Sequence, residues 1–133
     1  MYMIGEKKKW FKIKIETVGR DLDLINVGGA KADIQLEDNA FVIDFGEVHA
    51  LSNTEISVLF SSKHPITYEK MVLTCGCTGT KAEQLDQNNI AVKIKLDIGR
   101  VGLGAGYKPL YMNYSDDGGN KSQQIKLKFH RTV

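Results

Sequence analysis

The sequence predicts an all-β protein, an immunoglobulin-like antiparallel β-sandwich of seven to eight strands. Three observations carry that expectation. Apolar residues recur with a period of two along nearly the whole chain, which places them on one face of an extended strand. Clusters of Gly, Asn, Asp, Ser and Pro separate these runs at the spacing of a sandwich. No run carries a helical period; Thr80 to Gln87 could take a helical turn but is too short for a packed helix.

The strands are read in order. Phe11, Ile13 and Ile15 alternate with Lys12, Lys14 and Glu16, the pattern of a half-buried strand. Ile34 and Leu36 mark a short second one. Phe41, Ile43 and Phe45 share one face of a third, and Ile56, Val58 and Phe60 one face of a fourth. A fifth runs from Ile66 to Cys75, with Tyr68, Lys70, Val72 and Thr74 on one face and Met71, Leu73 and Cys75 on the other. Ile90, Val92, Ile94, Leu96 and Ile98 alternate with Lys93, Lys95 and Asp97. Leu110, Met112 and Tyr114 give a seventh strand, and Ile125, Leu127 and Phe129 an eighth. Gly28-Gly29, Glu37-Asp38-Asn39, Ser61 to Pro65, Asn88-Asn89 and Asp117 to Asn120 supply the turns. Asp117-Gly118-Gly119-Asn120 before an alternating run is a hairpin signal.

At 133 residues the chain fits one domain, and 42% apolar with 26% charged residues is ordinary for a soluble one. No apolar run approaches the ~20 residues that span a bilayer, and no apolar segment follows the N-terminal lysines as in a signal peptide. The net charge of +2 does not argue for nucleic acid. Its distribution is uneven. Residues 1–20 carry six basic and two acidic side chains, residues 21–55 one basic and eight acidic, and residues 121–133 four basic and none acidic. Residues 1–38 read as an N-terminal extension with one or two strands, which either adds to the sandwich of residues 39–133 or reaches a neighbour.

Phe41-Val-Ile-Asp-Phe-Gly-Glu-Val48 and Thr74-Cys-Gly-Cys-Thr78 resemble the paired motifs of a bacterial family of unknown function common in Bacteroidetes. That family's signature is a Phe-Asp-Phe-Gly-x-Val strand followed by Ser/Thr-Cys-Gly-Cys-Thr, and it is related to the immunoglobulin-like modules of Hydin-type and major sperm protein-like proteins. The resemblance covers about residues 41–131, and Asn89 to Asp97 is similar to the family's following strand. Ser61 to Pro65 stands where the family usually has an Asn-x-Gly turn, and Asp86 to Asn89 where it has Pro-Gly-Glu. Many members carry an export signal that this chain lacks. The resemblance implies a divergent, phage-encoded member. It would be a non-enzymatic, protein-binding accessory of the virion, decorating the capsid or associated with head or tail. The expected partners are capsid or tail proteins or copies of the chain itself, with no cofactor, membrane, nucleic acid or small-molecule substrate. The expected location is the virion, after synthesis in the host cytoplasm. The alternatives are a bacterial cytoplasmic or envelope-associated adaptor, or a metal or redox site at Cys75 and Cys77.

Cys75 and Cys77 are the only cysteines. A disulfide across one intervening residue closes a small strained ring, so two free thiols are expected, one buried as a small apolar residue beside a bend at Gly76. As metal candidates they lack further ligands, because His49, His64 and His130 are scattered. Gly99 to Gly106 has the wrong glycine order and no following helix for a phosphate loop. It reads instead as a flexible hairpin loop presenting Arg100, Leu103 and Tyr107 as contacts. Asp116 to Asn120 lacks the ligand spacing of a calcium loop. Lys7, Lys8, Lys9 and Trp10 are the remaining candidate contacts, by charge and stacking.

Overall fold

The computed structural model describes residues 22–133, together with two short strands, β1 (Tyr2–Ile4) and β2 (Glu6–Lys9), that pair antiparallel with each other. The strand expected over Phe11–Ile15 and the contact residue Trp10 lie outside the described residues. Lys7, Lys8 and Lys9 fall on β2.

The remaining strands are β3 (Leu22–Gly29), β4 (Asp33–Glu37), β5 (Ala40–Val48), β6 (Glu55–Ser62), β7 (Thr67–Leu73), β8 (Thr78–Asp86), β9 (Asn89–Leu96), β10 (Gly104–Asp116) and β11 (Gly119–Arg131). They form a four-stranded sheet, β3-β6-β9-β8, and a five-stranded sheet, β4-β5-β11-β10-β7. Among the described residues the only helical element is a 3-10 turn, Ile98–Arg100. The four-stranded sheet and the β7-β10-β11 half of the other reproduce the two sheets of an immunoglobulin constant-type domain. The protein is an immunoglobulin-like β-sandwich. One pairing departs from the antiparallel expectation: β5 lies parallel to β11, with Ile43 opposite Leu127.

The predicted alternation is what builds the core. Ile56, Val58 and Phe60 of β6 and Ile90, Val92, Ile94 and Leu96 of β9 face Leu110, Met112, Ile125 and Leu127 from the other sheet, all at most 1% exposed. Gln123 is buried among them at 1% exposure, its amide nitrogen donating to the carbonyls of Asn39 and Gln124. The turns follow the sequence signals. Asp38 and Asn39 take positive φ of 48° and 72° in a two-residue hairpin between Glu37 and Ala40, as such hairpins require. Asp117-Gly118 joins Asp116 to Gly119 across the β10–β11 hairpin. In the β8–β9 turn, the backbone N–H of Asn88 and the side chain of Asn89 donate to Asp86 and hold its carboxyl below the ordinary range. That contribution is present above the ordinary carboxylate pKa and is lost as pH falls through the lowered value.

Three sequence expectations are corrected. Thr80 to Gln87 is not a helical turn; nearly all of it is strand β8. Its inward positions opposite Ile94 and Val92 are Thr80 and Ala82, too small to register as an apolar alternation. β3 was not anticipated, because Leu22 and Leu24 point inward while Ile25 and Val27 are exposed, so its apolar residues fall on both faces. The fifth strand ends at Leu73, and a register shift between Asn113 and Tyr114 sets Tyr68 opposite inward-facing Tyr114. Tyr68 therefore packs against the core rather than sharing a face with Lys70 and Val72.

Candidate interaction surface

Thr74-Cys75-Gly76-Cys77-Thr78 carries the chain from β7 in one sheet to β8 in the other. The structure joins Cys75 and Cys77 in a disulfide, against the expectation of two free thiols. The reason is local. A turn at Gly76-Cys77 folds the segment back, so the two Cα atoms stand 5.1 Å apart, within disulfide range. Cys77 is 1% exposed and its carbonyl accepts the Asp97 N–H at 2.6 Å. The Thr78 hydroxyl donates to the Cys75 carbonyl at 3.1 Å. Neither oxidised sulfur offers a thiolate for a metal, and no three His, Cys, Asp or Glu among the described residues could hold one. The bond spans one intervening residue, so it restricts the unfolded chain little. Full reduction is expected to cost less than the ~3 kcal/mol of a 15-residue loop and to leave the domain folded, as urea unfolding with and without reductant would record.

The 3-10 turn Ile98–Arg100 sits against this hook. Asp97 caps it, accepting the Gly99 N–H at 3.0 Å, and pairs with Arg100 at 3.4 Å. Both side chains are more than half exposed, so the pair itself contributes little. The stronger anchor is Arg131, at the end of β11, whose Nη1 donates to the carbonyls of Ile98 at 2.6 Å and Val101 at 2.7 Å. The expected flexible loop is therefore partly fixed: its first residues form this turn and its last ones open β10. Arg131→Met keeps the stem and strands both carbonyls. Unfolding free energy is expected to fall by about 2 kcal/mol, with slowed amide exchange at Val101 lost.

Beyond the turn the chain presents Leu103 and Tyr107, 66% and 58% exposed. The structure brings these two predicted contacts together at one corner of the five-stranded sheet, around a shallow depression that also includes Gly102 and Phe129. Next to it, Tyr107, Val42, Lys126 and Lys128 line a second depression of about 390 Å³ on the outer face. Cross-strand register explains the grouping, since Tyr107 lies opposite Lys128, which lies opposite Asp44, which lies opposite Asp33. Lys126 Nζ stands 5.4 Å from the Tyr107 ring centroid, a cation–π contact. Sequence reasoning found Tyr107 and Leu103 through the glycine run. It missed Lys126, Lys128 and Val42, which only β11 lying between β5 and β10 brings alongside. Arg100 is set apart, beside the disulfide hook. Lys7, Lys8 and Lys9 share no described pairing with this face, as β2 pairs with β1.

No family model and no curated protein matches the chain. Among solved structures it is similar to the VesB protease of Vibrio cholerae, at 11% identity and a TM-score of 0.60, over 86% of this chain and 33% of that one. It also matches an endo-fucoidan hydrolase of glycoside hydrolase family 107, at 13% identity and a TM-score of 0.41, over 83% of this chain and 15% of that one. The chain thus spans a third of the protease's length and less of the hydrolase's. The likeness to the protease is one of fold.

Proposed function

We propose that the protein is a non-catalytic, protein-binding module, an accessory structural component of a bacteriophage particle that decorates the capsid or associates with head or tail. The observation that carries the binding reading is the exposed Leu103–Tyr107 corner, continuous with Lys126 and Lys128 on a rigid sheet face. An exposed tyrosine beside a largely exposed leucine gives a contiguous contact area of the kind in which interfaces seat their aromatic anchors. The setting in a virion rests on the resemblance of the Phe41–Val48 and Thr74–Thr78 motifs. Mass spectrometry of proteins that co-purify with the native protein under mild conditions tests it. Capsid or tail proteins in fixed ratio support the reading; envelope or cytoskeletal partners replace it with the adaptor. With the partner in hand, Leu103→Asp combined with Tyr107→Ala is expected to weaken binding by more than ~30-fold at unchanged melting temperature. Binding unaffected by the pair would move the interface elsewhere.

A further inference from the structure

The disulfide hook is held in shape by bonds that do not involve the S–S link. The Thr74 hydroxyl donates to the Pro109 carbonyl of β10, and the Thr78 hydroxyl and backbone N–H both donate to the Cys75 carbonyl. The Asp97 N–H donates to the Cys77 carbonyl. None of these bonds needs the two sulfurs to be joined. The bridge closes over a single residue, so it adds little by chain entropy. The hook thus keeps both sulfurs as neighbours whether joined or free, and the bond opens and re-forms within the folded protein.

The two cysteines differ in access. Cys77 is 1% exposed and lies in the core, whereas Cys75 is partly exposed and is followed by the exposed Gly76. An incoming thiolate therefore reaches Cys75 before Cys77. The Cys77 N–H donates to the Cys75 sulfur at 3.1 Å. The same donor is placed to hold a thiolate there once the bond is open.

Arg100 supplies charge at the point of approach. Its Nε pairs with Asp97 at 3.4 Å, and its Nη1 extends to 3.6 Å from where a β-carbon on Gly76 would stand. The side chain is 67% exposed, so an arriving anion meets it first. A thiol that carries carboxylates is favoured there over a neutral one.

We propose that Cys75–Cys77 is a reversible thiol-exchange site for low-molecular-weight thiols that carry carboxylates, the class of glutathione, with Cys75 the exchanging sulfur and Cys77 the resolving one. In the opening direction the external thiolate attacks Cys75 Sγ. A new S–S bond forms there, the Cys75–Cys77 bond breaks, and its electron pair leaves on Cys77 Sγ, which takes a proton from water. A second external thiolate attacks the external sulfur of the mixed disulfide and releases Cys75. Two external thiols become one disulfide, and the protein gains two electrons and two protons. Closing reverses these steps: the Cys75 thiolate attacks an external disulfide, one thiol leaves, and Cys77 displaces the other. The exchange is stoichiometric, so it stands beside the protein-binding role and does not depend on it.

The test uses the full chain, folded, in buffers of graded reduced-to-oxidised glutathione ratio. Samples are quenched in acid and read by mass spectrometry, while far-ultraviolet circular dichroism follows the fold. Expected are a reversible passage between disulfide and dithiol at unchanged spectrum, and a transient single adduct that peptide fragmentation assigns to Cys75. With oxidised glutathione, Cys77→Ala is expected to retain that adduct, and Cys75→Ala to form one at least ~10-fold more slowly while folded. Arg100→Gln is expected to slow opening by glutathione about 3-fold at low salt and to leave opening by the neutral thiol mercaptoethanol unchanged. A bond that opens only as the protein unfolds would overturn the proposal. So would an adduct formed first on Cys77, or an Arg100→Gln protein opened by glutathione as fast as the unsubstituted one.

Discussion

Replacing Phe60 with alanine is expected to destabilise the domain by about 3–5 kcal/mol, the largest effect of any single change considered. Phe60 is 0% exposed and sits on the central strand pair β6–β9. Its ring meets Phe41 edge to face at 6.1 Å and 70°, linking the four-stranded sheet to β5 in the other. Truncation removes the buried ring, its edge-to-face contact and the packing of both sheets against it. Neighbouring side chains held by two rigid sheets collapse only partly into the space, so the cavity cost adds to the transfer cost. Urea titration would read the loss as a lower midpoint at unchanged slope. Phe60→Leu, which refills much of the volume, should recover more than half of it. Equal losses for Ala and Leu would mean that the edge-to-face contact, not volume, is the source.

The second large effect concerns backbone rather than volume. Gly29→Ala is expected to cost more than about 2 kcal/mol, against about 1 kcal/mol for Gly46→Ala. Both glycines have positive φ, 85° and 70°, so both substitutions meet the left-handed penalty. At Gly29 a β-carbon would also collide with the Glu55 carbonyl oxygen, and backbone there cannot swing aside. That carbonyl accepts the Ala30 N–H at 2.7 Å, the bond that fixes the crossing from β3 to β4. At Gly46 nothing lies within 4 Å, so only the conformational penalty remains. Thermal unfolding of the two variants side by side checks the order. A Gly46 variant as unstable as the Gly29 one would show that backbone conformation alone sets the cost.

The resemblance motifs gave local markers whose structural roles differ. In Phe41 to Val48 the alternation put Phe41, Ile43 and Phe45 inward as read, and Gly46 sits where the register with β11 slips between Lys128 and His130. In Thr74 to Thr78 the burial of one cysteine was legible, and the bond between the two was not. Spacing in sequence counts residues along an extended chain, whereas a turn at Gly76 shortens the path. The interaction corner was half legible. Leu103 and Tyr107 announce themselves by following glycines, but Lys126 and Arg131 belong to an alternating strand that looks the same whichever strands flank it.

The sequence by itself determined that this is an all-β sandwich, which residues of most strands face inward, and where most hairpins turn. Those properties depend on neighbours one to four residues away: the two-residue repeat sorts side chains by face, and Asp, Asn and Gly set turn geometry. Only the tertiary structure decided which strands sit side by side, and with that the parallel β5–β11 pair, the Tyr107–Lys126 face and the Arg131 anchor. Each joins residues tens of positions apart through sheet order, and strand order is set by how two sheets bury their inner faces together rather than by any local pattern.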